Sequence, residues 1–454
     1  MPRTPEVPAL IVAGTHSGSG TTTATLALLA ALTRRGLRVQ GFKVGPDFID
    51  PGHHAAITHR TGRNLDTWLM GPEALAASYR RATAGVDLAV IEGVMGLFDG
   101  RGAEDEAGST ADLARLWDLP VVLVVDARGL ARSIAPMVRG FADFDPAVRV
   151  VAAIANRVGS PGHFANVLAP ALRGATRIEP VGSLPRREAL AIPSRHLGLW
   201  TAEEFQPGAG YAEALADAAE EGLALDRLRA LAQPPKLAEP PELVAPVAKL
   251  RGRVALARDA AFCFHYEDNL DLLRDEGAEV VPFSPLADAA LPEGSELLLL
   301  GGGYPEVFAG ELAANAPLRA AIRHFHAEGG TILAECGGLM ACCRALQTLD
   351  GRSFPMWDLI PARVAMRDRF QALGYVTIET DGATPFGPAG TRLRGHEFHY
   401  SALEPLAPLP FATNLGRPDR PPKPDGIAIG GLLASYAHAH YASNPAVARA
   451  ILGR

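Results

Sequence analysis

The chain has 454 residues and a formal net charge of -7. This length exceeds what one ordinary hydrophobic core needs, so we expect two or three domains. The mild negative charge excludes a broadly basic nucleic-acid surface. No apolar run reaches the ~18 residues that a membrane-spanning helix requires. We therefore expect neither a nucleic acid nor a membrane as a partner.

The four cysteines show neither a disulfide framework nor zinc-ligand spacing. The N-terminal residues enter an apolar run at once, without the basic segment and cleavage site of a secretory signal. A reducing, cytoplasmic location is therefore expected.

The first half of the chain alternates short apolar runs with amphipathic stretches. The runs, which are rich in β-branched residues, cover 9–13, 39–44, 88–91, 121–125 and 150–155. Apolar runs without polar alternation are typical of strands that are buried on both faces. This pattern predicts an α/β domain with a parallel sheet covered by helices.

The first predicted strand leads into the glycine-rich segment GTHSGSGTTT at 14–23, and a helix is predicted to follow. This is the setting of a phosphate-binding loop, in which Gly18 and Gly20 let backbone N–H groups approach phosphate oxygens. Thr22 would offer its hydroxyl to Mg²⁺, with Thr23 beside it. Thr21 stands where the motif has lysine, so an ordinary glycine-rich turn is the alternative interpretation.

Further candidate ligands lie where the next predicted strands end. Lys43 ends the second strand, Asp47 and Asp50 follow it, and Glu92 ends the third. Ligands of open α/β sheets bind at the carboxyl ends of the strands, and hydroxyl and carboxylate oxygens suit Mg²⁺. We predict that Thr22, Asp47 and Glu92 hold Mg²⁺ and that Lys43 binds a phosphate or a carboxylate.

Two residues near later strands are candidates to border a nucleotide base. They are Asn156, at the end of the fifth predicted strand, and Pro185. A capping or turn role is the alternative for Asn156.

Residues 233–247 read QPPKLAEPPELVAPV. Proline continues neither a helix nor a central strand, so this segment predicts a semi-rigid linker. The predicted organisation is a domain at 1–232, the linker at 233–247 and a second domain at 248–454.

The second half contains apolar runs at 254–256, 279–281, 297–300 and 331–334, which predict another α/β sheet. The last run leads to Cys336 and then to Gly337 and an apolar helix. A nucleophile on such a turn projects away from the sheet, and the neighbouring backbone N–H groups favour a thiolate and an oxyanion. His438 is the predicted base, with His440 as its rival.

Gly337, Gly302 and Gly303 are the predicted oxyanion donors, and the alternative for the glycine run is a simple turn.

These segments together resemble the glutamine-dependent cobyrinate a,c-diamide synthase family of corrinoid biosynthesis. The resemblance covers nearly the whole chain, and its closest subgroup is the hydrogenobyrinate a,c-diamide synthases. PDFIDPGHH and RGHEFHYS are the long and specific motifs. The other segments that carry it are GTHSGSGTTTAT, GFKVG, LDTWLM, IEGVMGLFDG, ANRVGS, RHLGL, LLLGGGYPE, AECGGLM and SYAHAHYASNP.

The resemblance implies an N-terminal P-loop-type amide ligase domain, similar to dethiobiotin synthetase, and a C-terminal class I-like glutamine amidotransferase domain. It implies that Cys336 is the nucleophile and His438 its base. Many class I glutaminases have a glutamate two residues past this histidine. This chain has His440 there, so the resemblance implies a Cys–His dyad.

The implied substrates are ATP with Mg²⁺, glutamine and a corrinoid polycarboxylic acid, and a homodimer is a candidate assembly. Asp50, His53 and His54 are candidates to bind the acceptor, with a solvated loop as the alternative. Glu397 and His399 orient either glutamine or the acceptor.

Two other functions stay open at this point. One is amidation of another tetrapyrrole, of the sirohydrochlorin or cobyric acid type. The other is a non-catalytic P-loop ATPase that carries an inactive amidotransferase module.

Overall fold

The computed structural model describes residues 6–192, 200, 202, 210–239 and 252–453. The chain divides into two compact units, Met1–Glu242 and Leu243–Arg454. The division falls within the predicted linker, whose residues 240–247 lie outside the described part, as do RHLGL at 195–199 and the first residues of the predicted second domain, 248–251.

The start of the predicted linker is attached to the first unit. Gln233 and Ala9 exchange two backbone hydrogen bonds of 2.8 and 2.9 Å, and the Lys236 N–H donates to the Trp117 carbonyl at 2.9 Å. Residues 233–236 therefore extend the first unit, which differs from the predicted boundary.

The first unit contains a seven-stranded sheet. Its strands are β1 (Ala9–Gly14), β2 (Val39–Val44), β3 (Arg63–Leu65), β4 (Leu88–Gly96), β5 (Val121–Asp126), β6 (Val150–Val158) and β7 (Glu179–Pro185). Their order is β3-β2-β4-β1-β5-β6-β7, and all neighbouring pairs are parallel. The carboxyl ends of all seven strands consequently lie at one edge of the sheet.

Helices cover both faces of this sheet. They are α1 (Thr21–Arg34), α2 (Ile49–Thr58), α3 (Pro72–Ala82), α4 (Thr110–Trp117), α5 (Ile134–Phe144), α6 (Pro161–His163), α7 (Ala169–Ala175), α8 (Tyr211–Gly222) and α9 (Leu225–Leu231), with a π-helical turn at Phe164–Leu168 and a 3-10 turn at Glu188–Leu190. The Ala- and Leu-rich α1 buries Leu28 and Leu29 in a core that includes Val124 and Leu215.

The second unit contains a ten-stranded sheet and a four-stranded sheet. The strands are β8 (Gly252–Ala257), β9 (Ala278–Phe283), β10 (Leu297–Leu300), β11 (Thr331–Glu335), β12 (Cys343–Gln347), β13 (Ser353–Pro355), β14 (Ile360–Met366), β15 (Ala372–Thr380), β16 (Arg392–His399), β17 (Ser401–Pro405), β18 (Phe411–Arg417), β19 (Arg420–Ile429), β20 (Leu432–Ser435) and β21 (His438–His440).

The ten-stranded sheet has the order β21-β16-β15-β18-β19-β20-β11-β10-β8-β9, and the four-stranded sheet has the order β13-β12-β14-β17. The run from β20 to β9 is parallel, whereas the pairs from β21 to β20 are antiparallel. The helices are α10 (Glu267–Asp275), α11 (Ala309–Ala314), α12 (Ala316–Ala327), α13 (Gly337–Cys342) and α14 (Ala446–Leu452), and a 3-10 turn covers Tyr441–Ser443.

The predicted α/β class of both halves is confirmed, including the parallel sheet of the first. The strands β3 and β7 were not predicted, and the third and fifth predicted strands are β4 and β6. The predictions also missed the strands from β12 to β21, most of which pair antiparallel. Within the described residues, no helix is both long and apolar enough to cross a membrane.

Candidate functional site

The glycine-rich loop joins β1 to α1 at the carboxyl edge of the first sheet. Gly18 and Gly20 have φ values of 86° and 94°, which favour glycine. A Cβ atom on Gly20 would lie 1.8 Å from Asn156 Nδ2. That side-chain amide donates to the Ser19 carbonyl at 3.0 Å. Asn156 therefore supports the loop from β6, and its predicted contact with a base stays a prediction.

The threonines at the start of α1 point in different directions. Thr21 Oγ1 lies 3.3 Å from Ser19 Oγ, so its hydroxyl faces back into the loop. Thr22 Oγ1 donates to Glu92 Oε1 at 2.7 Å and lies 3.5 Å from Asp50 Oδ2. Thr23 is half-buried beside it. The structure thus brings the Thr22 hydroxyl to the two carboxylates.

A buried cluster of charges lies below Thr22. Lys43 Nζ is 2.6 Å from Asp50 Oδ2 and 2.9 Å from Glu92 Oε1, and it also donates to the Gly93 carbonyl at 3.0 Å. His54 Nε2 lies 2.6 Å from Glu92 Oε2. All four side chains are almost inaccessible to solvent.

Burial and neighbouring charges shift the pKa values of this cluster, often in opposite directions. Burial alone would raise the pKa of Glu92, but the Lys43 ammonium and the bond to His54 hold that pKa well below its usual range. Burial and the Glu92 charge raise the pKa of Asp50. The pKa of Lys43 stays raised despite burial because Asp50 and Glu92 surround its ammonium. Lys43 is therefore a permanent cation at this edge of the sheet.

The structure places Asp47 and Asp50 differently from their predicted roles. Asp47 Oδ1 accepts the backbone N–H groups of Ile49 and Asp50, at 2.7 and 3.1 Å, and so caps the start of α2. Asp50, predicted to bind the acceptor, is instead the carboxylate next to Thr22 and Lys43. The structure therefore favours Asp50 over Asp47 as the partner of Glu92.

Neither predicted acceptor histidine has a freely exposed ring. His54 is fully buried against Glu92, because a ring in the middle of α2 faces the sheet. His53 Nε2 is 2.8 Å from the Trp200 carbonyl, and this side chain is also buried. Pro185 ends β7 at the same sheet edge and pairs with Val158.

In the second unit, Cys336 occupies a strained turn between β11 and α13. Its backbone has φ 49° and ψ -103°, values that a non-glycine residue rarely adopts. The Cys336 N–H donates to the Ser435 carbonyl at 2.8 Å. Burial raises the pKa of the Cys336 thiol to about 12, although the Gly337 N–H lowers it. The resting side chain is therefore a thiol that needs a base.

His438 begins β21 beside this turn. A Cβ atom on Gly302 would lie 2.4 Å from Cε1 of the His438 ring. Burial is the main cause that lowers the pKa of His438 to about 3, and the neighbouring His396 and His265 lower it further. The ring is therefore a neutral imidazole at physiological pH, which is the form that accepts a proton.

His440, the rival base, has a different environment. Its ring is fully buried and lies 4.6 Å from the ring of Tyr266. Among the described residues, neither of its ring nitrogens has a hydrogen-bond partner. Burial lowers its pKa to about 3. His440 is thus a core residue of the second unit.

The glycines that were predicted as oxyanion donors come close to one another. The Gly303 nitrogen would be 3.1 Å from a Cβ atom placed on Gly337. Gly302 is in contact with His438, whereas the Gly338 N–H is already donated to the Gly301 carbonyl. The backbone nitrogens of Gly303 and Gly337 therefore lie close together, and the donor role of Gly302 stays a prediction.

Glu397 and His399 flank Phe398, whose carbonyl oxygen is 3.9 Å from Cys336 Sγ. The buried Glu397 carboxylate binds Arg417 at 2.6 Å and Lys423 at 2.8 Å. Burial raises its pKa, but His399 and these two cations hold that pKa low. His399 stacks on Tyr436 at 3.8 Å. A cavity of about 410 Å³ opens beside Glu397, Arg417 and Lys423.

Sequence reasoning missed Glu335, the last residue of β11. Its Oε1 accepts the Ala439 N–H at 3.0 Å, and its Oε2 lies 3.8 Å from His438 Nδ1. The available signal was a carboxylate directly before the nucleophile, at the carboxyl end of a strand.

Comparisons with known proteins match both units. Residues 10–199 match the family described as the CobQ/CobB/MinD/ParA nucleotide binding domain. Residues 253–446 match the CobB/CobQ-like glutamine amidotransferase domain. A solved glutamine amidotransferase structure covers 44% of this chain and 97% of its own, with 19% identity and a TM-score of 0.34, which is too low to bear on the fold.

Curated relatives match almost from end to end. The cobyrinate a,c-diamide synthase of Syntrophotalea carbinolica is 44% identical over 98% of both chains. The hydrogenobyrinate a,c-diamide synthase of Streptomyces coelicolor is 41% identical over 99% of this chain and 97% of its own. The cobyrinate a,c-diamide synthase of Leptospira interrogans is 39% identical over 98% and 97%. The chain therefore belongs to the cobyrinate and hydrogenobyrinate a,c-diamide synthase family.

Proposed function

We propose that this protein uses ATP and glutamine to amidate the a and c carboxylates of hydrogenobyrinic acid or cobyrinic acid. This would make it a carbon–nitrogen ligase of cobalamin biosynthesis. The observation that carries the proposal is the pair of sites on one chain, a phosphate loop with a buried Lys–carboxylate cluster and a strained cysteine turn beside a neutral histidine. The names of the relatives supply the class of acceptor.

The first site would activate the acceptor. A carboxylate does not react with ammonia at neutral pH, so ATP transfers its γ-phosphoryl group to the carboxylate oxygen and releases ADP. The resulting acyl phosphate has a good leaving group. Ammonia then attacks its carbonyl carbon, which forms the amide and releases inorganic phosphate. The N–H groups of the loop at Gly18 and Gly20 would bind phosphate oxygens, and Lys43 would neutralise charge that is shared during the transfer.

The residues around Thr22 fit Mg²⁺. Described side chains include no group of three or more His, Cys, Asp and Glu that could hold a metal ion alone. Mg²⁺ is commonly bound by one or two carboxylates together with substrate phosphates. The Thr22 hydroxyl, Glu92 and Asp50 offer such a partial set of oxygens. When bound, the ion would neutralise negative charge on the phosphate oxygens.

The second site would release ammonia. His438 takes the thiol proton as Cys336 Sγ attacks the amide carbon of glutamine, and the proton then passes to the departing nitrogen. Water hydrolyses the thioester to glutamate and restores the thiol. The backbone N–H groups of Gly303 and Gly337 would bind the oxyanion.

Glu397 and His399 are assigned here to glutamine rather than to the acceptor. They flank the peptide whose carbonyl oxygen is 3.9 Å from Cys336 Sγ, and the adjacent cavity presents Arg417 and Lys423. A free amino acid carries a carboxylate and an ammonium group, which such a charged wall can bind.

The alternatives make different predictions. An amide ligase for another tetrapyrrole would share both sites, so only the acceptor separates it from our proposal. A non-catalytic ATPase with an inactive module is disfavoured by the strained Cys336 turn and the neutral His438. A homodimer is a candidate assembly, which sizing of the purified protein would test.

The test is incubation with glutamine, Mg-ATP and either hydrogenobyrinic or cobyrinic acid, followed by mass spectrometry. Two successive changes of the acceptor, each replacing one OH by one NH₂, are expected. Amidation of sirohydrochlorin or of a cobyric acid precursor instead would overturn the acceptor assignment. Failure to amidate any of these acids would favour the non-catalytic function.

A further inference from the structure

The geometry points to Glu335 as the acidic partner of His438, completing a Cys–His–Glu triad in which the acid directly precedes the nucleophile. This inference rests on the proposed glutaminase chemistry. It replaces the dyad that the presence of His440 implied.

The first observation is the position of the carboxylate. Glu335 Oε1 accepts the Ala439 N–H at 3.0 Å, which fixes the side chain next to the residue that follows His438. The other oxygen, Oε2, lies 3.8 Å from His438 Nδ1. Catalytic hydrogen bonds often start at such lengths and tighten when substrate binds.

The second observation concerns the other candidates for the acid. His440, at the usual position of the glutamate, packs on Tyr266 and is not an acid. The Glu397 carboxylate is already bound to Arg417 and Lys423. Glu335 is therefore the carboxylate that the described structure places against the ring.

The third observation is how the strands hold the three residues. Glu335 pairs with Ser435 in the register of β11 and β20, and the Cys336 N–H donates to the Ser435 carbonyl. His438 follows three residues later. Glu335 ends β11, Cys336 follows it on the turn, and His438 begins β21 shortly after the end of β20, so their relative positions do not depend on a long loop.

Charge gives the carboxylate its role. Burial raises the pKa of Glu335 to about 8, although the Ala439 N–H lowers it, so the carboxylate that this role requires forms as the pH rises towards 8. His438 becomes positive when it takes the thiol proton, and its Nδ1–H then faces Oε2. The attraction between Glu335 and His438 is thus strongest when the imidazolium forms. An interaction that strengthens in this way lowers the barrier to attack by the thiol. Glu335 itself gains no proton and acts as a positioning residue.

Three variants separate this role from a purely structural one. In Glu335→Gln the amide oxygen still accepts the Ala439 N–H, but the NH₂ group donates to Nδ1 and leaves the proton on Nε2. That tautomer cannot accept the thiol proton. Glu335→Asp keeps the charge on a shorter side chain. Asp425→Asn is the matched control, a buried carboxyl of the same unit that hydrogen-bonds to the Ser435 hydroxyl.

Glutamine hydrolysis and amidation with free ammonia are measured on the same purified proteins. Glu335→Gln should lower the kcat for glutamine by about 10²- to 10⁴-fold, with KM within about threefold and ammonia-driven amidation unchanged. Glu335→Asp should be faster than Glu335→Gln, and Asp425→Asn should keep the wild-type kcat.

A purely structural role predicts the opposite order of kcat values. Glu335→Gln preserves the hydrogen bond from the Ala439 N–H, whereas Glu335→Asp does not. Near-wild-type hydrolysis by Glu335→Gln, or a slower Glu335→Asp, would overturn the triad. Glutamine hydrolysis by Cys336→Ala is measured in parallel. If this variant loses hydrolysis while Glu335→Gln keeps it, only the triad fails. If Cys336→Ala keeps hydrolysis, the nucleophile assignment fails and the triad fails with it.

Discussion

The Lys43 ammonium lies 2.9 Å from Glu92 Oε1, the same oxygen that the Thr22 hydroxyl reaches at 2.7 Å. A buried positive charge therefore lies below the first turn of α1. Thr21 has no charge and turns its hydroxyl towards Ser19. Lys43 thus supplies, from β2, a cation that the glycine-rich loop itself does not provide.

We expect Thr21→Lys to tighten ATP binding or to speed the ligase step, because it restores a point charge for the β- and γ-phosphates. Lys43→Met should slow the ligase step by about a hundredfold, the usual cost of losing one electrostatic contact to a transition state. The slowing should be smaller when Thr21→Lys is also present. ATP affinity and ligase rate in both single variants and the double form the mutant cycle.

Glutamine hydrolysis measured alone is the control for this cycle and should not change. Strictly additive effects would show that the two cations do not compensate each other. An unchanged ATP affinity and rate in Thr21→Lys would mean that the loop does not hold the phosphates as proposed.

Glu92→Gln should lower amidation by about a hundredfold with either glutamine or ammonia. The substitution removes the charge that faces Thr22 and Lys43, so metal and phosphate binding are both weakened. Amidation rates across a Mg²⁺ titration measure this loss. Glu73→Gln, at an exposed position in α3, is the matched control. A wild-type rate at limiting Mg²⁺ would remove Glu92 from the metal site.

The sequence predicted the sheet edges well because continuous apolar runs mark buried parallel strands. β2 has the predicted bounds, whereas β4 includes the predicted run but extends past Glu92 to Gly96, so Glu92 does not end this strand as predicted. The antiparallel strands after Cys343 were missed because polar and apolar residues are mixed there. β19, for example, contains three prolines within its first half, at Pro421, Pro422 and Pro424.

The site was predictable as a set of positions but not as a set of contacts. Both Asp47 and Asp50 follow β2, and only the helical turn of α2 decides that one caps the helix and the other meets Lys43. Likewise, His438 and His440 are two residues apart, and the packing of Tyr266 decides which ring belongs to the core.

Gly302→Ala should lower glutamine hydrolysis by about a hundredfold, because the new methyl group would lie 2.4 Å from Cε1 of His438 and would displace the base. Amidation with free ammonia should be unaffected. Gly382→Ala is the control, since a Cβ atom there meets nothing within 4 Å. Equal hydrolysis rates in the two variants would show that His438 is not the base.

His440 should make the protein sensitive to acid. Its pKa is near 6.5 when unfolded and about 3 when buried, so between these values the unfolded chain binds the extra proton. The free energy of unfolding then falls as the pH falls. From pH 7 to pH 5 this residue should cost about 2 kcal/mol of stability.

His440→Phe keeps a ring against Tyr266 and should recover most of that loss. Urea unfolding followed by tryptophan fluorescence at the two pH values measures it. His265, His396 and His438 titrate alike in both proteins, so the difference between the proteins belongs to His440. Equal acid sensitivity would contradict its buried neutral state. At pH 7 the variant should keep glutamine hydrolysis, whereas His438→Ala should lose it.

Cys336→Ala should abolish amidation with glutamine and retain amidation with ammonia, since the thiol serves only the release of ammonia. The most direct measurement supplies both donors together, with glutamine labelled by ¹⁵N at its amide and ammonium unlabelled, and follows the label in the amidated corrinoid by mass spectrometry. Wild-type protein should place ¹⁵N in both new amides, and Cys336→Ala should form the same diamide without label. Label in the Cys336→Ala product, or no amidation by the wild-type protein, would contradict the proposed coupling of the two sites.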